Sequence, residues 1–201
     1  MVNRSDSFSL PPAIRRAASG FRIAGWVSFW AQVVLGVVSA IALSFAALNL
    51  GAPPPPQVPG ANPAATNNNS IIGIGLFFAV FGLLALLAGA FWAFRYTRLS
   101  QRLRSSDSQL RPKRGEALQA LRIGLLINLA GMLGTILGAQ AIVGALAARS
   151  MAQGFASIVG SLPAYISPLQ ILAVQANTNT ILAHFIGLIA TLWLIQQMNR
   201  Q

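Results

Sequence analysis

The stretch IIGIGLFFAVFGLLALLAGAFWAF, residues 71–94, carries no charged side chain and is followed at once by RYTRLSQRLR, residues 95–104. A continuous apolar run of this length reads as a helix that crosses a hydrocarbon core of ~30 Å, and the arginines mark its return to water. The rest of the chain repeats the alternation. Residues 23–50 form an apolar run of about 28 residues, which reaches ~42 Å as a helix. The predicted spans are 23–50, 71–94, 118–147 and 174–195. They make one transmembrane domain over residues 23–198, preceded by a basic N-tail at 1–22 and followed by a C-tail at 199–201. The expected fold is all-α: a polytopic membrane protein, a four-transmembrane-helix bundle with a short interfacial helix in its third loop.

Composition points the same way. Of 201 residues, 55% are hydrophobic and only 8% are charged. Ordinary soluble domains carry roughly 25% charged residues, so this chain lacks the groups to cover itself in water. It has no cysteine, which removes disulfide scaffolds, iron–sulfur clusters, thiolate zinc sites and cysteine nucleophiles together. The net charge is +11, from 14 Lys and Arg against 3 Asp and Glu. In a soluble protein that balance would suggest nucleic acid. Here the basic residues lie between apolar blocks, so the partners read from them are membrane lipids with anionic headgroups, and nucleic acid is excluded.

The segments between spans have their own signals. The first apolar run exceeds the 7–15 residues of a signal-peptide core, so it is read as a retained helix. Residues 51–70 hold Pro53–Pro56, Pro59 and Pro63, an extended, uncharged, exposed loop. Ser70 is the expected N-cap of the second helix. Tyr96, Leu99 and Leu103 recur at helical spacing, so that helix is expected to run on as an amphipathic turn or two. Pro112 and Gly115 break the chain before the third helix. Phe155, Ile158, Val159 and Leu162 have the i, i+3, i+4, i+7 spacing of the interfacial helix. Ser167-Pro168 reads as an N-cap followed by Pro at the first helical position.

Thirteen of the 14 basic residues fall in the N-tail, the central segment 95–122 and the C-tail; Arg149 alone falls in the opposite loops. Four spans place those three segments on one side, and the positive-inside rule makes that side cytoplasmic. Trp26, Trp30, Trp92 and Trp193 fall near the same face, as an interfacial aromatic belt does.

No phosphate-binding glycine motif is present, and all three carboxylates lie in the basic segments. The chain is not expected to be an enzyme, and no cofactor is evident. The intramembrane ionisable residue is His184. Thr180 lies one turn before it and Asn177 two turns before; Thr191 lies two turns after. This stripe could bind a metal cation through His184, shuttle a proton or line a polar path. Alternatively, His184 is a neutral ring hydrogen-bonded to a neighbouring helix, with Asn and Thr as interhelical glue. With no carboxylate nearby, the second reading is the plainer one. Ser28, Gln32 and Ser39 share a face of the first helix; Asn128, Met132 and Thr135 share one on the third, and both faces read first as packing. Ala130, Gly134 and Gly138 allow close helix approach, within one chain or in a homo-oligomer. Arg95, Arg98, Arg102, Arg104, Arg111, Lys113 and Arg114 fix topology and touch lipid headgroups or an acidic membrane-complex partner.

Four stretches carry a family resemblance: GWVSFWAQVVLGVVSAIALSFA (25–46), FWAFRYTRLSQRLR (91–104), LRIGLLINLAGMLGTILGAQAIVGAL (121–146) and VQANTNTILAHFIGLIATLWLI (174–195). Taken in order, they resemble the cyanobacterial and chloroplast inner-envelope family called "permease in chloroplasts", also described as a component of the envelope import translocon. The proline-rich loop and the N-tail do not match, and no long plant-type transit peptide precedes the first span. The resemblance therefore implies a cyanobacterial member, in the plasma or thylakoid membrane. It also implies two competing functions: iron permeation, with iron as substrate rather than cofactor, and protein import. The basic segment and the small-residue helix faces support the alternative to transport: a non-catalytic scaffold or accessory subunit of a protein-import, insertion or photosynthetic complex. His184, Asn177 and Asn179 fall inside a matching stretch.

Overall fold

The computed structural model describes residues 12–50, 64–105, 112–158 and 168–200. Within them the chain is all-α, with four helices: α1 (Pro12–Leu50), α2 (Ala64–Leu103), α3 (Arg114–Ile158) and α4 (Pro168–Asn199). Each contains a segment long and apolar enough to cross a membrane: Ile14–Ala47, Ile71–Leu103, Arg114–Ala148 and Gln170–Asn199, of mean hydropathy 2.0, 2.7, 1.8 and 1.6. Between 22% and 39% of each apolar window is buried inside the chain, so most of each helix surface is left for lipid. The chain is an integral membrane protein, with the four long apolar helices that a four-span bundle requires.

Helix ends depart from the expected positions for local reasons. α1 starts at Pro12, inside the segment expected to be a polar tail. Proline is tolerated in a first turn, and the Ala-rich AIRRAAS that follows favours helix. α2 begins at Ala64, so Ser70 lies within the helix and is not its N-cap. The two alanines at its start are strong helix formers, and no proline or glycine interrupts residues 64–70. Its far end runs on to Leu103, as the Tyr96–Leu103 spacing predicts. α4 starts at Pro168, also as predicted.

The interfacial helix expected in the third loop is not found among the described residues. α3 continues without a break to Ile158 and takes Phe155 and Ile158 with it. The sequence ALAARSMAQ contains no breaker, and a lone Gly154 costs only about 1 kcal/mol, too little to end a helix. Val159 and Leu162 lie outside the described residues, as do most of the proline-rich loop and Arg111.

The chain divides into two compact units, and every helix contributes a segment to each. The first comprises residues 1–33, 86–129 and 183–201. Its core gathers Ala17, Phe21, Ala24, Tyr96, Leu121 and Leu194, with the Phe21 and Tyr96 rings edge to face at 6.3 Å. Side chains tie its helices to one another's backbones. Trp92 Nε1 donates to Ala120 O at 2.7 Å, and Ser100 Oγ to Ala18 O at 2.7 Å.

The second unit comprises residues 34–85 and 130–182. Ala42, Leu43, Ala79 and Ala176 form one small core, and Ala46, Ile142 and Ala173 another. Here α2 and α3 come close enough that a Cβ on Gly138 would stand 2.9 Å from the carbonyl oxygen of Gly75. Within this unit, the small-residue stripe of α3 therefore packs inside the chain: Gly138 against the α2 backbone, Gly134 against the Phe81 ring. Ala130 is exposed.

Candidate functional site

Membrane helices invert the soluble pattern of burial, and this chain does so. Ile23, Phe77, Leu84, Phe91, Leu126 and Ile189 are exposed, whereas Ser28, Gln32, Ser39, Asn128, Asn177 and His184 are buried. Because an unpaired polar group in hydrocarbon costs several kcal/mol, the inward-facing side chains must find partners or serve a purpose.

In the first unit they converge. Gln32 of α1, Asn128 of α3 and His184 of α4 are 1%, 3% and 0% exposed, which puts all three out of reach of solvent. Gln32 Nε2 donates to Asn128 Oδ1 at 3.0 Å, and His184 Nδ1 faces the same oxygen at 3.2 Å. Asn128 Nδ2 donates to Gly124 O at 2.9 Å, which fixes the amide orientation and makes Oδ1 an acceptor only. His184 Nδ1 must therefore carry its proton. One amide oxygen gathers two donors from two other helices.

Two glycines make room for this node. A Cβ on Gly89 of α2 would stand 3.0 Å from Asn128 Oδ1 and 3.2 Å from Gln32 Oε1. One on Gly187 of α4 would run into Gln32 Nε2 and lie 2.6 Å from Asn128 Oδ1. All four helices thus take part, α2 by lacking a side chain. Gln32 Oε1 remains without a hydrogen-bond partner among the described residues.

Thr191, on the same helix as His184, donates to Gly187 O at 2.8 Å and meets the Tyr96 hydroxyl at 3.5 Å. The other two members of the predicted stripe belong to the second unit. Thr180 Oγ1 donates to Ala176 O at 2.9 Å, and Asn177 Nδ2 to Ala173 O at 3.2 Å. Ser39 Oγ donates to the same Ala176 oxygen at 3.0 Å, which joins α1 to α4 there. Asn177 Oδ1 has no partner among the described residues. Asn179 pairs with Gln175 along α4.

The basic positions are all exposed where they are described: Arg95, Arg98, Arg102, Arg104, Lys113 and Arg114. Arg95 and Arg98 lay their guanidinium groups over Trp92 and Phe94, each 5.0 Å from the ring centroid. Arg104 Nη2 reaches Ser19 Oγ at 3.4 Å. Among the described residues, no group of three or more His, Cys, Asp or Glu could hold a metal ion. The donors offered inside the helices are one imidazole and several amides and hydroxyls.

The family described as "Protein of unknown function (DUF3611)" matches residues 11–199. The chain is 30% identical over 202 residues to "Protein TIC 21, chloroplastic" of Arabidopsis thaliana, an alignment that covers 98% of this chain and 62% of that protein. It thus spans less than two thirds of the length of that relative. No solved structure matches the chain.

Proposed function

The chain belongs to the DUF3611 family, and from that premise we propose a multi-pass membrane permease-like protein whose cargo is a small metal cation, iron first among them. One observation carries the reading: Gln32, Asn128 and His184 meet inside apolar helices, and Gln32 Oε1 is left without a partner among the described residues. Polar side chains held inside membrane helices are costly, and they mark substrate paths when they face the interior. Imidazole suits iron, zinc, copper and nickel. Conduction needs a site that binds well enough to admit an ion and loosely enough to release it, which a single imidazole among amides supplies better than a carboxylate cage. Asn128 Oδ1, 3.2 Å from Nδ1, orients the ring as an outer-shell partner of a passing cation. The glycine contacts close the node, so passage requires the helices to part there.

Iron enters as cargo, on the strength of the family resemblance, and not as a resident cofactor. The proposed orientation puts the N-tail, segment 95–122 and the C-tail on the cytoplasmic side of a cyanobacterial plasma or thylakoid membrane, which the charge asymmetry supports. The test is ferrous-iron uptake by proteoliposomes. The parent protein should take up iron, and His184→Ala should lose at least tenfold of the rate, about 1.4 kcal/mol in the barrier, at equal reconstitution. Unchanged uptake by the variant removes His184 from the path; no uptake by the parent removes transport itself.

A second reading, a non-catalytic scaffold or accessory subunit, is favoured by the exposed Arg98, Arg102 and Arg104. It requires that a partner copurify in mild detergent and be lost when these three are neutralised.

A further inference from the structure

The first unit carries a second feature, independent of the polar node. A cleft of about 410 Å³ opens between α1 and α2, lined by Arg22, Arg98 and Arg104 together with Trp26, Phe94 and Gln101. It shares Arg22, Trp26 and Arg104 with a second cleft of about 420 Å³, whose walls are almost wholly apolar and include Ile23 and Val27. Among the described residues, no carboxylate lines either one. Three arginines, Arg22 on α1, Arg98 on α2 and Arg104 just beyond its end, therefore line one cleft, with no neutralising carboxylate among the described residues of its walls. They are also partly held in place: Arg98 stacks on Phe94, and Arg104 donates to Ser19.

The apolar extension is the second half of the observation. Ile23, Val27 and Trp30 are 62%, 57% and 55% exposed, and Trp26 stacks on Trp30 with centroids 6.2 Å apart. Tryptophan prefers the headgroup level of a bilayer, so this boundary between arginines and aliphatic side chains lies where a lipid changes from headgroup to chain. Arginine binds phosphate-type oxygens through two parallel N–H donors.

We infer that the α1–α2 cleft is a binding site for a membrane lipid with an anionic headgroup. The headgroup sits among Arg22, Arg98 and Arg104, and one acyl chain lies along Ile23, Trp26 and Val27. Charge complementarity selects an anionic over a zwitterionic lipid, and the apolar wall selects a lipid over a free anion. This goes beyond diffuse attraction to a charged bilayer, because it picks out three arginines and leaves aside other exposed basic residues such as Lys113, Arg114 and Arg122.

Native mass spectrometry of the full chain in detergent, titrated with phosphatidylglycerol or with phosphatidylcholine of the same chains, tests it. The parent protein should retain phosphatidylglycerol selectively. Removing one arginine should weaken that adduct about fivefold, and Arg22→Gln, Arg98→Gln and Arg104→Gln together on the order of a hundredfold. The variant Arg15→Gln, Arg122→Gln and Arg200→Gln loses the same charge at three exposed positions and should keep the adduct. Equal loss in both triple variants overturns the site, as does displacement of the lipid by glycerol phosphate at matching concentration. An acidic peptide that competes as well as the lipid overturns it too. Should the glutamine variant not fold, replacing the same three arginines by lysine decides: the charge remains but the planar fork is gone, so selective retention should drop, and full retention overturns the proposal.

Discussion

A single methyl group tests the polar node. Gly187→Ala would drive a Cβ into Gln32 Nε2 and against Asn128 Oδ1. Both belong to a buried network that cannot yield without losing hydrogen bonds, so the substitution should destabilise the protein by about 1–3 kcal/mol. Gly144→Ala is the matched control. A Cβ there meets nothing within 4 Å, and alanine favours helix over glycine by about 1 kcal/mol, so that variant should unfold at the same or a higher temperature in detergent. Similar melting of the two would mean that the node is not packed as described. Asn128→Leu asks about chemistry rather than space. It removes the one oxygen that receives Gln32 Nε2 and His184 Nδ1, leaving two buried donors without it, and should cost about 1–3 kcal/mol. In the parent, ¹⁵N NMR of the His184 ring should show the proton on Nδ1; a proton on Nε2 alone would contradict the bond to Asn128.

At the scale of elements, the α2–α3 contact in the second unit separates two kinds of obstacle. A Cβ at Gly138 meets the Gly75 carbonyl and the Ala79 nitrogen, both backbone atoms. A Cβ at Gly134 meets the ring of Phe81, a side chain that is 44% exposed and free to swing aside. Gly138→Ala should therefore lower stability by about 1–3 kcal/mol, and Gly134→Ala by less than about 1 kcal/mol, as read from thermal unfolding of purified protein. The existence of the four helices was legible because each hydrophobic run is long and nearly uncharged. Their ends were less so: Pro63, directly before Ala64, reads equally as part of the proline-rich loop, nothing forbids α3 from passing Gly154, and cap signals lose to strong helix formers. Gln32, Asn128 and His184 each stood out as polar residues on a helix face. That these three meet, while Thr180 and Asn177 bond within the other unit, depends on the rotation and offset of helices about their axes, which hydropathy does not encode. Gly89 and Gly187 escaped notice for a related reason. Gly187 lies three residues after His184 on the same face, and that spacing was the signal available.

Among the described residues, large apolar side chains such as Phe77, Leu84, Leu126 and Ile189 are exposed while Gln32, Asn128, Asn177 and His184 are buried, and the sequence gathers 13 of its 14 basic residues into three segments. Only a hydrocarbon surround makes that distribution stable. The absence of cysteine allows a direct topological measurement with single reporters. Lys113→Cys and Arg200→Cys would stand at two of the arginine-bearing segments, and Ser150→Cys near the far end of α3; all three positions are exposed. With the chain expressed in the plasma membrane of intact cells, a membrane-impermeant maleimide should label Ser150→Cys alone, with Lys113→Cys and Arg200→Cys reacting only after the membrane is opened. Labelling of Lys113→Cys and Arg200→Cys from opposite sides, or of all three from the same side, would contradict four membrane crossings.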